Sequence, residues 1–192
     1  MGGVVAGLRP RLPRRYLLVD RHKSSTGLSN LQYFDWPAAA RQAAAELQPA
    51  WVVIHLGGND GQDILYGGRW LRFGSPEWGA VYRARAEDLI AGVRAAAPQA
   101  RVVWLGLPAM RPAQYESKSV AIARQQWDAA LSQGVAYVDG REVLGATYSK
   151  DGIGTDGRRQ VLRLDDGIHY SRAGGGVLGE AVGRKAGWIF TP

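Results

Sequence analysis

Short apolar runs alternate with longer amphipathic segments along this chain. Residues 16–19, 51–56, 101–107 and 135–138 form runs that are short and apolar enough to be buried strands. The run at 51–56 is apolar on both faces, which is typical of a central strand in a parallel sheet. Polar or glycine-rich loops separate these runs from helical patterns. The alternation predicts βα units around a parallel sheet.

The helical segments carry recognisable start signals. Asp35 and Ser75 each precede a proline and are suited to cap a helix N-terminus. The predicted helices cover residues 1–12, 35–47, 75–98, 113–133 and 171–188. In the fourth of these we expect Val120, Trp127 and Leu131 to face the core. Residues 62–74 and 147–159 are expected to be loops.

Composition limits the class of protein. With 192 residues and 46% hydrophobic content, the chain predicts a single globular domain spanning residues 1–192. It contains no cysteine, which excludes disulfides, thiolate catalysis and cysteine zinc sites. No apolar run approaches the roughly 18 residues that a membrane span needs. Residues 1–15 lack the layout of a signal peptide, because the apolar patch precedes the arginines.

The chain is basic, with a formal net charge of +7 and a pI of about 10.0. Much of the excess lies within residues 1–23, where Asp20 is the only acidic side chain. This predicts either a solvated basic surface or a binding face for an anionic polymer or membrane. We expect no nucleic-acid partner, because no aromatic platform or helix-turn-helix pattern accompanies the arginines.

Asp166 lies three residues before His169, on a short turn ahead of the last predicted helix. A carboxylate at this spacing can fold back onto the Nδ1–H of the imidazole. That hydrogen bond would select the tautomer whose Nε2 faces outward as a base. The pair therefore indicates the base of a serine-hydrolase site, or otherwise a structural hydrogen bond.

Two glycine-containing loops could supply an oxyanion hole. Asn59 follows Gly57 and Gly58 at the end of an apolar run, where its amide could donate to a developing oxyanion. The backbone N–H of Gly27 is a second candidate donor. Ordinary turn chemistry explains both loops equally well when each is taken alone. His55 lies inside a predicted strand and is interpreted as a satisfied core histidine, and His22 as a surface residue.

These motifs together resemble the SGNH (GDSL-type) hydrolase superfamily. Gly57-x-Asn59-Asp60 matches its third sequence block, Asp166-x-x-His169 its fifth, and Gly27 the glycine of its second. Ser-Thr-Gly-Leu-Ser, Tyr-Phe-Asp-Trp-Pro and Arg-Trp-Leu-Arg-Phe-Gly-Ser-Pro-Glu-Trp resemble an exported bacterial branch more narrowly. The resemblance implies a three-layer α/β/α sandwich with a flavodoxin-like parallel sheet. It implies no metal and no cofactor.

The resemblance also assigns roles. His169 would be the general base and Asp166 its orienting partner, with Asn59 and Gly27 as oxyanion donors. Serine would attack an ester carbonyl and form an acyl-enzyme. The expected substrate loop contributes Asp60, Arg69, Trp70 and Phe73.

The family's first block, Gly-Asp-Ser, has no match in this chain. The resemblance places the nucleophile one or two residues before Met1, and the first strand ahead of it as well. In the sheet, that strand would lie between the strands expected at 16–19 and 51–56. The chain is therefore expected to be truncated at its N-terminus, to lack the first strand and to be inactive as given. Ser24 and Ser25 are the nearest substitutes, although they belong to the oxyanion loop.

The predicted function is that of an SGNH-type esterase or O-acyltransferase acting on ester substrates, with O-acetylated carbohydrate preferred. The resemblance further implies export to the periplasm in the full-length protein and a membrane acyltransferase partner. The alternative is a non-catalytic polysaccharide-binding or assembly protein that keeps the fold without its nucleophile. The oligomeric state is not predicted.

Overall fold

The computed structural model describes residues 2–188. A short 3-10 turn (Arg9–Arg11) follows the first helix. The helices are α1 (Gly2–Leu8), α2 (Trp36–Leu47), α3 (Pro76–Ala96), α4 (Ala113–Ser132), α5 (Gly140–Leu144) and α6 (Arg172–Ala186). The strands are β1 (Trp51–Ile54), β2 (Ile64–Tyr66), β3 (Arg69–Leu71), β4 (Arg101–Leu105), β5 (Ala136–Val138), β6 (Asp151–Ile153) and β7 (Arg159–Val161). Within residues 2–188, no helix has both the length and the apolar character to cross a membrane.

A parallel sheet flanked by helices confirms the predicted fold class. Its described strands run in the order β1-β4-β5, and β1 pairs in parallel with β4, from Trp51 opposite Arg101 to Ile54 opposite Trp104. The prediction that β1 is central is wrong for the described strands, because β1 lies at the edge and only Ile54 is buried. Apolar residues on both faces of a strand indicate that other elements pack on both faces of the sheet. They do not indicate how many strands lie beside it.

The chain forms two compact units. The first comprises Met1–Lys23, Pro108–Ser117 and Val138–Pro192, and the second comprises Ser24–Leu107 and Lys118–Tyr137. The expectation of one domain over residues 1–192 stays a prediction.

In the first unit, α1 packs against α6 at a very close backbone distance. A β-carbon on Gly7 would overlap the backbone of Gly175 and Gly176, and one on Gly175 would overlap the carbonyl of Gly3. Only glycine permits two helices to approach in this way. The small residues of both helices thus create the main packing surface of this unit.

Two predictions in the first unit are wrong. Residues 16–19 form no strand, and Leu17 is 85% exposed. A short apolar run becomes a strand only where a neighbouring backbone accepts its N–H groups, and no described residue pairs with this run. Residues 147–159, predicted as loop, contain β6 and the start of the antiparallel partner β7. The polar side chains of this hairpin hide the alternation that identifies strands.

The helix caps of the second unit follow the sequence prediction. Asp35 Oδ1 accepts from the N–H of Ala38 at 2.9 Å, and Ser75 Oγ accepts from that of Trp78 at 3.2 Å. Each cap satisfies a backbone donor that the first helical turn leaves without a partner. Both helices therefore begin where the sequence predicts.

The predicted inward face of α4 is wrong. Val120, Trp127 and Leu131 are 51%, 42% and 64% exposed, whereas Ile122 and Gln126 are buried. Gln126 Nε2 donates to the carbonyl of Leu56 at 2.9 Å. The helix has two overlapping apolar faces. The face that includes Ile122 and the hydrogen-bonded Gln126 packs inward, and the face with Trp127 and Leu131 does not.

Candidate functional site

The Asp166–His169 segment of the first unit is a tight turn closed by its own backbone. Leu164 N donates to His169 O at 2.9 Å, and Gly167 N donates to Leu164 O at 3.0 Å. Gly167 has a φ of +72°, in the left-handed region that glycine adopts without strain. The sequence Leu-Asp-Asp-Gly therefore suits a turn that brings Asp166 back over His169.

The Asp166 carboxylate binds three donors within three residues of itself. Oδ1 accepts from the N–H groups of Ile168 and His169 at 2.7 and 2.9 Å, and Oδ2 lies 2.7 Å from His169 Nδ1. Burial by itself would raise the pKa of Asp166, but the bonds from His169 and Ile168 prevail and lower it to about 2. An ionised Asp166 assigns the proton to Nδ1, which leaves Nε2 on the opposite side of the ring.

The predicted pair is thus present as a hydrogen-bonded dyad, and its histidine is accessible, with 60% of the His169 side chain exposed. Its role as a base stays a prediction.

A second Asp–His pair lies in the same unit and was not predicted. His22 Nδ1 lies 2.8 Å from Asp20 Oδ2, and His22 N donates to Asp20 Oδ1 at 3.0 Å. Burial would raise the pKa of Asp20, and the bonds from His22 lower it on balance. The Asp-x-His spacing was a usable signal for this pair. Geometry at Nδ1 alone therefore does not single out His169.

In the second unit, the loop after β1 places Asn59 beside the Gly27 loop. Asn59 is exposed, and its Nδ2 donates to the carbonyl of Thr26 at 3.2 Å. Asp60 N donates to Gly57 O at 2.9 Å, which closes a turn in which Gly57 has a φ of +119°. The two predicted oxyanion loops are therefore joined directly. The donor roles of Asn59 and Gly27 stay predictions.

Asp60, expected in the substrate loop, is fully buried instead. Its Oδ1 accepts from Ser29 N at 2.8 Å and from Ser29 Oγ at 2.9 Å, and its Oδ2 accepts from the Tyr82 hydroxyl at 2.8 Å. Burial and the Asp60 charge raise the pKa of Tyr82 far above its usual value. With 0% exposure, Asp60 cannot contact a substrate and instead fixes the loop that contains Gly27.

The packing at Gly27 supports this view. A β-carbon on Gly27 would overlap the Asp60 carboxylate. Glycine is required here by close packing, whether or not its N–H also serves as a donor. The Arg85 guanidinium secures the next residues by donating to Leu28 O at 2.7 Å and to Ser29 O at 2.9 Å.

The remaining substrate-loop residues lie on or near the β2–β3 hairpin, which the sequence prediction described as loop. Arg69 and Trp70 are exposed, Trp70 at 70%. Phe73 is half-buried and meets the Trp78 ring edge-on at a centroid distance of 4.6 Å. Of these three predicted substrate-loop residues, Arg69 and Trp70 thus point outward from the hairpin, and Phe73 packs against the core.

His55 is satisfied, as predicted. Its Nδ1 lies 2.8 Å from the Leu105 carbonyl, and burial lowers its pKa to about 4. It is neutral at pH 7 and lies directly after β1, which ends at Ile54 rather than extending over His55 as predicted.

The family model described as "Protein of unknown function (DUF459)" matches residues 1–185. The chain belongs to the DUF459 family. Among curated proteins, no significant match to this DUF459 chain exists.

Solved structures similar to this DUF459 protein include several esterases. Est24, a carbohydrate acetylesterase from Sinorhizobium meliloti, has a TM-score of 0.64 and 20% identity, covering 97% of this chain and 85% of its own. The inhibitor-bound M. smegmatis aryl esterase has a TM-score of 0.63 and 19% identity, with the same coverages of 97% and 85%. A carbohydrate esterase family 3 protein from Talaromyces cellulolyticus has a TM-score of 0.57 and 17% identity, covering 85% and 67%. These similarities confirm the predicted SGNH hydrolase fold.

Proposed function

We propose that this DUF459 protein is an SGNH-type serine esterase or O-acyltransferase for O-acetylated carbohydrates. The observation that carries the proposal is the 2.7 Å bond between Asp166 Oδ2 and His169 Nδ1. It presents an exposed imidazole in the tautomer that a serine hydrolase requires of its base.

In the proposed reaction, His169 Nε2 takes the proton of the serine hydroxyl as Oγ bonds to the ester carbonyl carbon. The carbonyl oxygen becomes an oxyanion, for which the resemblance expects Asn59 Nδ2 and the Gly27 N–H as hydrogen-bond donors. Collapse of this intermediate breaks the ester bond, and the leaving alcohol takes the proton from His169. Water or a sugar hydroxyl then attacks the acyl-enzyme in the same manner. Asp166, whose pKa is about 2, stays ionised throughout.

The carbohydrate part of the proposal is supported by the outward face of the β2–β3 hairpin. Trp70 is 70% exposed beside the exposed Arg69. An indole face suits the apolar face of a sugar ring, and a guanidinium suits its hydroxyls. Two of the similar folds belong to proteins whose names specify carbohydrate esters.

A non-catalytic carbohydrate-binding protein is the second candidate, and two serines of the first unit favour it. Ser149 Oγ donates to Asp151 O and Ser171 Oγ donates to Val161 O, each at 2.6 Å. Both hydroxyls are thereby engaged by backbone carbonyls rather than by His169. Export to the periplasm and a membrane acyltransferase partner stay predictions of the resemblance.

A short-ester assay separates the two candidates. Because Gly-Asp-Ser has no match within the 192 residues, the assay compares this chain with one extended by the codons upstream. We expect turnover of p-nitrophenyl acetate and release of acetate from acetylated xylan by the extended chain. His169→Ala should lower kcat by at least 10³-fold, because triad residues act as a unit.

The chain offers matched controls. His22→Ala removes the other Asp-bound imidazole and should leave turnover unchanged. Asp166→Asn should lower kcat by at least 10²-fold, whereas Asp165→Asn, which removes only an ion pair with Lys150, should not. Lack of turnover in the extended chain, together with retained binding to the polysaccharide, would favour the binding protein. Loss of turnover in His22→Ala but not in His169→Ala would contradict the assigned base.

A further inference from the structure

Arg163 is a buried cation beneath the Asp166–His169 turn. It is 2% exposed, and the acceptors of its guanidinium among the described residues are backbone carbonyls. Nη1 donates to Ala109 O at 2.6 Å, and Nη2 donates to Ile168 O at 2.9 Å and to Gly167 O at 3.3 Å. Two of these three acceptors are the residues between the aspartate and the histidine of the dyad.

Two aromatic rings fix the plane of this guanidinium. Its central carbon lies 5.3 Å from the ring centroid of Tyr148 and 5.3 Å from that of Tyr170. Tyr170 directly follows His169, and its backbone pairs with that of Arg163 in an isolated antiparallel bridge. Arg163 therefore contacts the turn through its backbone bridge, its ring contact and its Nη2 donor.

The position of this charge is energetically costly, which indicates a specific use. Burial lowers the pKa of Arg163, and its electrostatic interactions with Tyr170, Tyr148 and Asp166 only partly oppose it. Its Nε has no hydrogen-bond partner among the described residues. A well-packed apolar side chain at such a site is often at least as stabilising as a buried ion.

The turn needs support on two sides, and Asp166 provides only one. The Asp166 carboxylate binds N–H groups, those of Ile168 and His169. The carbonyls of Gly167 and Ile168 require separate donors, which Arg163 provides, and Gly167 O also accepts from Arg111 N at 3.1 Å. If these carbonyls are released, the peptide groups that present N–H to Asp166 are free to rotate.

We propose that Arg163 is a positioning residue that holds the Asp166–His169 turn in its hydrogen-bonded form through the Gly167 and Ile168 carbonyls. The proposal rests on the proposed function for its catalytic consequence, but its structural content is independent of turnover. A lysine cannot replace the guanidinium, because an ammonium lacks the planar fork that spans Ala109 and Ile168 while lying between two rings.

Histidine NMR tests the proposal directly. The chain has three histidines, so ring ¹⁵N signals of His22, His55 and His169 are readily assigned. In Arg163→Met and Arg163→Lys we expect the His169 Nδ1–H signal to be lost by exchange, while His22, bonded to Asp20 in the same way, keeps its signal. The pKa of Asp166, followed by its carboxyl ¹³C signal, should rise from about 2 towards the usual 3.8. Arg158→Met, which removes an exposed arginine of the same segment, should change neither readout.

The kinetic readout is separate. In the extended chain, Arg163→Lys should lower kcat about 10–100-fold with little change in KM, since a small displacement of the base acts on chemistry and not on binding.

Retention of the His169 Nδ1–H signal and of the low Asp166 pKa in a folded Arg163→Met protein would overturn the proposal. Unfolding of both variants would overturn it as well, because Arg163 would then support the whole unit rather than the turn. If the wild-type protein has no esterase activity, the proposed function fails while the spectra still decide the role of Arg163.

Discussion

Two aspartates, Asp166 and Asp60, each accept three hydrogen bonds, yet their surroundings differ in almost every respect. Asp166 has a side chain that is 43% exposed, and its donors belong to Ile168 and His169, within three residues. Asp60 is 0% exposed, and its donors belong to Ser29 and Tyr82, which are 31 and 22 residues away. The first carboxylate organises a local turn, and the second joins distant parts of the second unit.

The difference in burial and in the distance of the donors predicts that the two aspartates have different roles, one in reactivity and one in stability. An exposed carboxylate in a local turn contributes little to folding, because water would solvate it nearly as well. A buried carboxylate with three donors loses its solvation when any donor is removed, so the whole network depends on it. We therefore expect substitutions at Asp60 to affect stability, and substitutions at Asp166 to affect the reactivity of His169.

The largest expected effect is that of Asp60→Asn. An amide N–H₂ group would face either the Ser29 donors or the Tyr82 hydroxyl, and the free energy of unfolding should fall by about 3 kcal/mol. Urea denaturation measures this change. Asp88→Asn, at an exposed position of α3, is the matched control and should change stability by less than about 0.5 kcal/mol. Equal effects of the two variants would remove the distinction between the two aspartates.

A smaller effect is expected where Asp60 meets the Gly27 loop. Gly27→Ala would place a methyl group against the Asp60 carboxylate and should cost about 2 kcal/mol through displacement of the loop. Gly58→Ala provides the control, because a β-carbon there meets no atom within 4 Å. Thermal unfolding of both variants gives the comparison. A Gly27→Ala protein as stable as Gly58→Ala would show that this loop is not packed on Asp60.

The smallest expected effect is the loss of the contribution of Asp166 to stability at low pH. Its pKa falls from 3.8 to about 2 on folding, so it stabilises the folded protein above pH 4 and loses that contribution as pH falls towards 2. Because the side chain is exposed, solvent screening reduces the contribution to about 1 kcal/mol. The unfolding free energy of wild type minus that of Asp166→Asn, measured from pH 2 to 6, should show this decline. A difference that does not vary with pH would contradict the hydrogen-bonded turn.

Secondary structure was predicted well where the signal is local. The caps at Asp35 and Ser75 depend on residues within three positions, and both helices begin as expected. The hairpins β2–β3 and β6–β7 were missed, because three-residue strands offer too few positions for alternation to emerge. The inward face of α4 was misassigned, because the choice between two stripes depends on what the helix packs against.

The candidate site divides in the same way. The Asp166–His169 bond follows from a three-residue spacing and a glycine, so the sequence predicted it. Nothing in the sequence indicated that Asp60 would be buried while Asn59, its neighbour, remains exposed. The difference between Trp70 and Phe73 likewise depends on the Trp78 ring, which Phe73 meets edge-on while Trp70 is 70% exposed.

The amino-acid sequence by itself determined the βα alternation, the helix caps, the Asp–His turn and the resemblance to SGNH hydrolases. These features depend on spacing within a few residues, where backbone geometry leaves few alternatives. The tertiary structure alone decided that Asp60 anchors the Gly27 loop, that Arg163 lies beneath the dyad, and that β1 is an edge strand of the described sheet. Those features depend on which distant groups exclude water together, and burial is a property of the assembled chain rather than of any segment.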